Sequence, residues 1–236
     1  MNHVMEDIED EELGRIVVQV NPRAKRYVFK TKSDNISVSV PPGTTRKEVL
    51  DALEQLRPKL LAHRTLLPKR RPIDLAFTID TEHFHLSLKQ GTTHRFLARS
   101  ELGKMEIICP PDANFGDEQL QAWMRKVIDE SLRRNAKVIL LQRLTELSHQ
   151  SGLRYSSLKI NASHGRWGSC STRKAINLSF YLLLLPQPLI DYVLLHELCH
   201  TVEMNHSERF WALLNQHTGG RALELREKLK AYHTSY

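Results

Sequence analysis

His196 and His200 stand four residues apart in the run His196-Glu197-Leu198-Cys199-His200, and His206 follows six residues later. In a helix, residues four apart share a face, so the two imidazoles converge on one cation at the roughly 2.0–2.1 Å that zinc requires. Were the helix continuous, His206 would point about 240° away from His200, at 3.6 residues per turn. The helix must therefore stop between them if all three are to meet. Asn205 can take the left-handed conformation that ends a helix, and Ser207 can cap the next one.

Glu197 lies about 100° further round the helix axis than His196, too far for a natural third ligand but close enough to take a proton from water at the metal. Leu194, Leu195 and Leu198 supply an apolar flank, and Pro188 suits a first helical turn. A catalytic zinc needs a third protein ligand and an open fourth position. His206 is the preferred candidate. Glu203, on the metal-facing stripe, and Glu224, on a later helix, are its rivals, and Glu203 also suits an acceptor for an imidazole N–H.

At 236 residues, 41% hydrophobic and 26% charged, the composition is that of an ordinary globular protein. The longest apolar run, near Tyr181 to Leu185, stops at Pro186, far short of the roughly 20 residues of a membrane span. The amino terminus is acidic rather than basic and apolar, which predicts no signal peptide and a cytoplasmic location. Cys109, Cys170 and Cys199 are widely spaced and odd in number, so neither a disulfide framework nor a cysteine zinc site is expected. Cys199 reads as a small buried residue. Net charge is +7, but the first 12 residues hold six of the 27 acids and no Lys or Arg. The rest sets 34 basic residues against 21 acidic ones, a balance of +13 that favours DNA or another polyanion as a partner. Arg23-Ala24-Lys25-Arg26, Lys69-Arg70-Arg71 and Arg133-Arg134 lack interleaved aromatics, and each reads as solvated surface.

Along the chain, residues 1–14 read as a disordered acidic tail. Alternation at Ile16, Val18, Val20, then Tyr27, Phe29, then Ile36, Val38, Val40 predicts three strands. Thr44 or Thr45 caps a helix to about Arg64, with Pro58 inside it. Alternation resumes at Leu75 to Ile79, Phe84 to Leu88, His94 to Ala98 and Met105 to Cys109. His83, His85 and His94 lie on such strands and are expected to be surface residues. Asp117 caps a helix running to Ser151-Gly152, which at 1.5 Å per residue approaches about 50 Å. Strands over Leu158 to Asn161 and Ala175 to Leu183 follow, joined through a loop at residues 163–170. This order predicts an α+β chain: the tail over 1–14, a mostly antiparallel β-rich amino-terminal domain with one helix over 15–115, and a helical domain with a small sheet over 116–236.

Arg166-Trp167-Gly168-Ser169-Cys170, the strand with Ile176-Asn177-Leu178, and His196-Glu197-Leu198-Cys199-His200 with Asn205-His206-Ser207 and Phe210-Trp211 together resemble the YgjP-like family of zinc metallopeptidases. The amino-terminal strands ending in Val40-Pro41-Pro42-Gly43, followed by a helix, resemble that family as well, so the likeness covers about residues 15 to 232. The resemblance implies a zincin-like catalytic domain, one zinc ion on His196, His200 and His206, and Glu197 as general base. The histidine spacing is also that of metzincins, but Glu203 stands where their glycine would be and no methionine follows Met204. More distantly it is similar to SprT-like proteases, which digest proteins crosslinked to DNA. That likeness and the basic balance define the rival reading, a DNA-associated protease or a nucleic-acid binder with a non-catalytic zinc.

The leading expectation is hydrolysis of a peptide or protein substrate, with Glu197 taking a proton from water and passing it to the leaving amine. Arg166, Tyr181 and His164 are candidate donors to the oxyanion. The strand from Ala175 to Tyr181 is expected to be the sheet edge on which substrate backbone pairs.

Overall fold

The computed structural model describes residues 7–31, 35–66, 71–234 and 236, so Lys69 and Arg70 of one basic cluster lie outside it. The chain divides after Arg71 into two compact units.

In the first unit, β1 (Ile8–Asp10), β2 (Gly14–Val20), β3 (Val28–Thr31) and β4 (Ile36–Val40) form one sheet in the order β1-β2-β4-β3. The β2/β4 pair is parallel and the other two pairs are antiparallel. Helix α1 (Arg46–Leu66) begins with a reciprocal cap: Glu48 N–H donates to the Thr45 hydroxyl, and Thr45 N–H donates to the Glu48 carboxylate at 2.8 Å. It continues through Pro58. Ile16, Val18, Ile36, Val38 and Val40 of the sheet meet Val49, Leu53 and Leu60 in one buried cluster.

The acidic tail expected over residues 1–14 is corrected here from Ile8 onward; residues 1–6 lie outside the described residues. Ile8 pairs with Ile16, and Ile8 and Leu13 are buried. Asp10 accepts from Leu13 N–H at 2.8 Å and from Arg57 of α1 at 2.6 Å, and Glu12 takes a second Arg57 contact at 3.0 Å. Two apolar anchors and one guanidinium order a segment that reads as solvated from its charge alone.

In the second unit, β5 (Ile79–Asp80), β6 (His85–Gln90), β7 (Leu97–Glu101) and β8 (Lys104–Cys109) form a sheet in the order β5-β6-β8-β7. Helix α2 (Glu118–Ser151) follows, capped by Asp117, which accepts from Gln119 N–H, and closed by Gly152 at φ 72°. Its buried apolar residues Met124, Ile128, Leu132, Ala136, Leu140 and Leu144 fall at intervals of four. Each such step turns the stripe about 40° at 100° per residue, so the buried face winds round the helix as it advances. The stripe thereby serves two partners. Asn135 accepts from Gly103 N–H at the β7–β8 turn, while Arg143 further along clamps Asp191 with two bonds of 2.7 and 2.8 Å.

The rest comprises β9 (Ser157–Asn161), β10 (Gly168–Cys170), β11 (Ala175–Ser179), a 3-10 turn at Phe180–Leu184, α3 (Gln187–Cys199), α4 (Glu208–His217) and α5 (Ala222–Leu229). Strands β6 and β8 share one core with α2, α3, α4 and α5. The domain boundary expected near residue 115 therefore falls after Arg71: the second sheet is tied to α2, and its period-two pattern resembles that of the first sheet too closely to show this. Among the described residues no helix is long and apolar enough to cross a membrane.

Candidate metal centre

Helix α3 is apolar on nearly every side, with Leu189, Ile190, Tyr192, Val193, Leu194, Leu195, Leu198 and Cys199 all buried, which makes it a central element rather than a surface one. Its last turn carries His196 and Glu197, and His200 caps it. The helix stops in a tight turn: Thr201 N–H donates to Leu198 O at 2.9 Å, and the Thr201 hydroxyl to the same carbonyl at 2.7 Å. Asn205 does not take the left-handed conformation expected of it; among described non-glycine residues Lys174 alone has positive φ, at 58°. Ser207 does cap α4, accepting from Phe210 N–H.

This break returns His206 to the other two histidines. Its Nε2 lies 3.1 Å from His196 Nε2, and His200 Nε2 also lies 3.1 Å from His196 Nε2. The three ligand atoms all fall within 4.8 Å of one another, the one such group of histidine, cysteine or acidic residues among the described residues. Zinc–nitrogen bonds of roughly 2.0–2.1 Å in a tetrahedron separate their nitrogens by about 3.3 Å, so the spacing fits one ion. His200 Nδ1 donates to Glu203 O at 3.0 Å, which leaves its Nε2 lone pair free for a cation. Burial, helped by His200 and His206, drives His196 down to about 3, and burial also lowers His200; both are neutral at physiological pH.

Phe210 packs against all three imidazoles. Its ring stacks on His200 at 4.5 Å and meets His196 and His206 edge-on at 4.9 and 4.8 Å. In the sequence Phe210 stands out only as part of Phe210-Trp211, with no role at the metal. The signal was its place four residues after His206, one turn on, behind the Ser207 cap.

Glu197 is buried, and burial raises its carboxyl to about 7, partly opposed by the positive charge of Arg166. Its neighbour is Gly168 on β10, where a Cβ would lie 2.6 Å from Glu197 Oε1. Only glycine permits this approach. The sequence marks the position by Trp167-Gly168, which suggests a turn but not what the turn faces.

The small sheet has the order β10-β11-β9, so β11, expected to be the edge, is central, paired antiparallel to β10 and parallel to β9. The open edge beside α3 is β10, a strand hidden inside the loop expected over residues 163–170. Trp167 O accepts from Ser179 N–H and Ser171 N–H donates to Ala175 O. By the alternation of an antiparallel ladder, Gly168 and Cys170 turn their N–H and C=O groups outward.

The three candidate oxyanion donors part company. Arg166 is exposed, and its charge acts on Glu197. His164 and Tyr181 sit in a separate network. His164 Nδ1 donates to Thr234 O at 2.5 Å, so Nε2 accepts from the Tyr181 hydroxyl at 3.1 Å. Tyr181 and Tyr236 both reach Asp129 Oδ1, at 3.4 and 2.8 Å. The Thr234 hydroxyl donates to His164 O at 2.7 Å and the Ser179 hydroxyl to Ser163 O at 2.9 Å, fastening the segment that leads into β10.

Of the rival ligands, Glu203 contributes its backbone carbonyl to His200, and Glu224 is held by Lys228 at 2.6 Å. His85 bonds Asp80 at 2.6 Å on the second sheet. Cys199 is buried, and its thiol is pushed up to about 12 by burial.

A buried carboxylate beside three converging imidazoles is an arrangement that could hold a metal ion next to a proton acceptor. Residues 25–232 match the family described as YgjP-like, metallopeptidase domain, and the chain belongs to that family. The chain is also similar to the metallopeptidase zymogen of Pyrococcus abyssi abylysin, a crystal structure with 22% identity and a TM-score of 0.35, over 38% of this chain and 90% of that one. No curated protein matches.

Proposed function

We propose that this protein is a zinc-dependent peptidase in which His196, His200 and His206 hold one zinc ion and Glu197 is the general base. The observation that carries the reading is the convergence of the His200 and His206 Nε2 atoms, each 3.1 Å from His196 Nε2, next to a buried glutamate. A bound zinc supplies Lewis acidity to the scissile carbonyl and to the attacking water. Glu197 takes the proton from that water and returns it to the leaving amine; its apolar burial keeps the carboxylate from being solvated away from this task. Arg166 is the nearby cation suited to the developing oxyanion. The outward backbone groups of Gly168 and Cys170 pair with an extended substrate main chain, bringing it alongside Glu197. His164 and Tyr181 act as positioning residues that hold the approach to β10.

The test compares wild type with Glu197→Gln, both loaded with zinc, on a casein-like substrate. The variant should keep its zinc and lose about 10²–10⁴-fold in turnover, the usual contribution of a positioned base. Equal turnover in the two proteins would remove Glu197 from the reaction.

A further inference from the structure

We propose that the β10 edge is a subsite for acidic polypeptide: Arg166 at one end of the strand and Arg173 with Lys174 at the other select substrates carrying Asp or Glu on both sides of the residues that pair there. The inference rests on the peptidase reading above and names the substrate class of the same site.

Gly168 to Cys170 is the stretch that offers free backbone groups beside Glu197. Arg166 lies two residues before it. Beyond it the chain turns over Ser171 to Lys174, closed by Lys174 N–H to Ser171 O at 2.8 Å, which places Arg173 and Lys174 at the end of the β10–β11 hairpin, where their carbonyls accept from the Ser156 hydroxyl and N–H ahead of β9. All three side chains are exposed, and none has an ion-pair partner among the described residues. Arg166 is close enough for its charge to act on Glu197, and Lys174 close enough to act on Cys170. Lys174 has φ 58°, a conformation in which glycine or asparagine is the inexpensive choice, so the chain carries a cation where local backbone preference argues against one.

The helical side of the centre is cationic too. Arg226 on α5 lies 5.3 Å over the Trp211 ring, and its charge acts on His196. Of the acids on this side, Glu224 is engaged by Lys228 and Asp191 by Arg143, while Glu203 and Glu208 have no ion-pair partner among the described residues. From Arg166 to Ser171 the edge spans about 16 Å at roughly 3.3 Å per residue. An extended peptide covers that with about five residues, and this sets the spacing of its acids.

Two fluorescent peptides test this, sharing one neutral five-residue core flanked by Glu in one and by Gln in the other. Binding is read by anisotropy on zinc-loaded Glu197→Gln protein, so no cleavage intervenes. An exposed ion pair contributes at most about fivefold, so two or more should favour the Glu peptide by about tenfold. The preference should fall towards unity with Arg173→Glu plus Lys174→Glu, and in salt of about 1 M, where the screening length is roughly 3 Å. Equal binding of the two peptides, or a preference unchanged in the double variant, overturns the proposal. So does single-stranded DNA that displaces the Glu peptide at lower concentration than unlabelled Glu peptide does, which would assign the edge to nucleic acid. Wild-type cleavage separates this from the parent reading. Equal cleavage of both peptides sinks the acidic subsite and leaves a peptidase; tighter binding of the Glu peptide without cleavage of either sinks the peptidase and leaves the subsite.

Discussion

Replacing Gly168 by alanine should damage activity without touching the metal. The added Cβ would lie 2.6 Å from Glu197 Oε1, 2.7 Å from its Cγ and 2.9 Å from its Cδ. Ordinary contact begins at 3.4 Å, so the carboxylate or the strand must retreat by about 0.8 Å. The carboxylate is buried on α3, and β10 is hydrogen-bonded to β11, so neither moves without loss. Overpacking of this kind costs about 1–3 kcal/mol of stability. A shift of roughly 1 Å in a reacting group costs about 10²-fold in rate. Steady-state kinetics on a peptide, with zinc content measured on the same samples, should therefore show kcat down about 100-fold and zinc unchanged. Wild-type kcat in a folded Gly168→Ala protein would refute the placement of Glu197 against β10 as the productive geometry.

Phe210→Ala removes a buried ring that touches all three histidines. It should lower unfolding stability by about 3–5 kcal/mol, and zinc should leave to a chelator at lower concentration than in wild type. Tyr181→Phe deletes the hydroxyl bonded to His164. A loss of about 1–3 kcal/mol in denaturant unfolding, with kcat within a few-fold of wild type, identifies a positioning residue; a 100-fold loss in kcat at unchanged stability would make Tyr181 catalytic. Asp10 is held well below the usual carboxylate value of 3.8, first by its bonds to Arg57 and then by the Leu13 and Glu12 N–H groups. A depressed carboxylate stabilises the fold above its unfolded value and loses that contribution as pH falls below it. The first unit should thus weaken from about pH 4 downward, by about 1–2 kcal/mol after solvent screening, and Asp10→Asn should flatten that dependence in acid-unfolding curves.

The parts of this molecule that were legible in the sequence are those written in local chemistry. Asp117 and Gly152 bound α2 because a cap and a left-handed glycine act within a turn of where they stand. The break between His200 and His206 followed from helical geometry, although the residue expected to make it, Asn205, does not. What was hidden depends on partners distant in sequence. A three-residue strand such as β10 carries no period to detect, and without it β11 looked like an edge. The ordering of Ile8–Asp10 needs Arg57, and no local pattern announces a contact across so many residues. Likewise the stripe of α2 discloses burial, but not that it winds from one sheet to another helix.

The most direct measurement is the metal itself. Elemental analysis of protein purified without added metal, joined to X-ray absorption at the zinc edge, should give one zinc per chain with three imidazole nitrogens at about 2.0–2.1 Å. His206→Ala should lower the count to two nitrogens or release the ion. A wild-type protein that binds no zinc after reconstitution, or that keeps the same coordination without His206, would contradict the account.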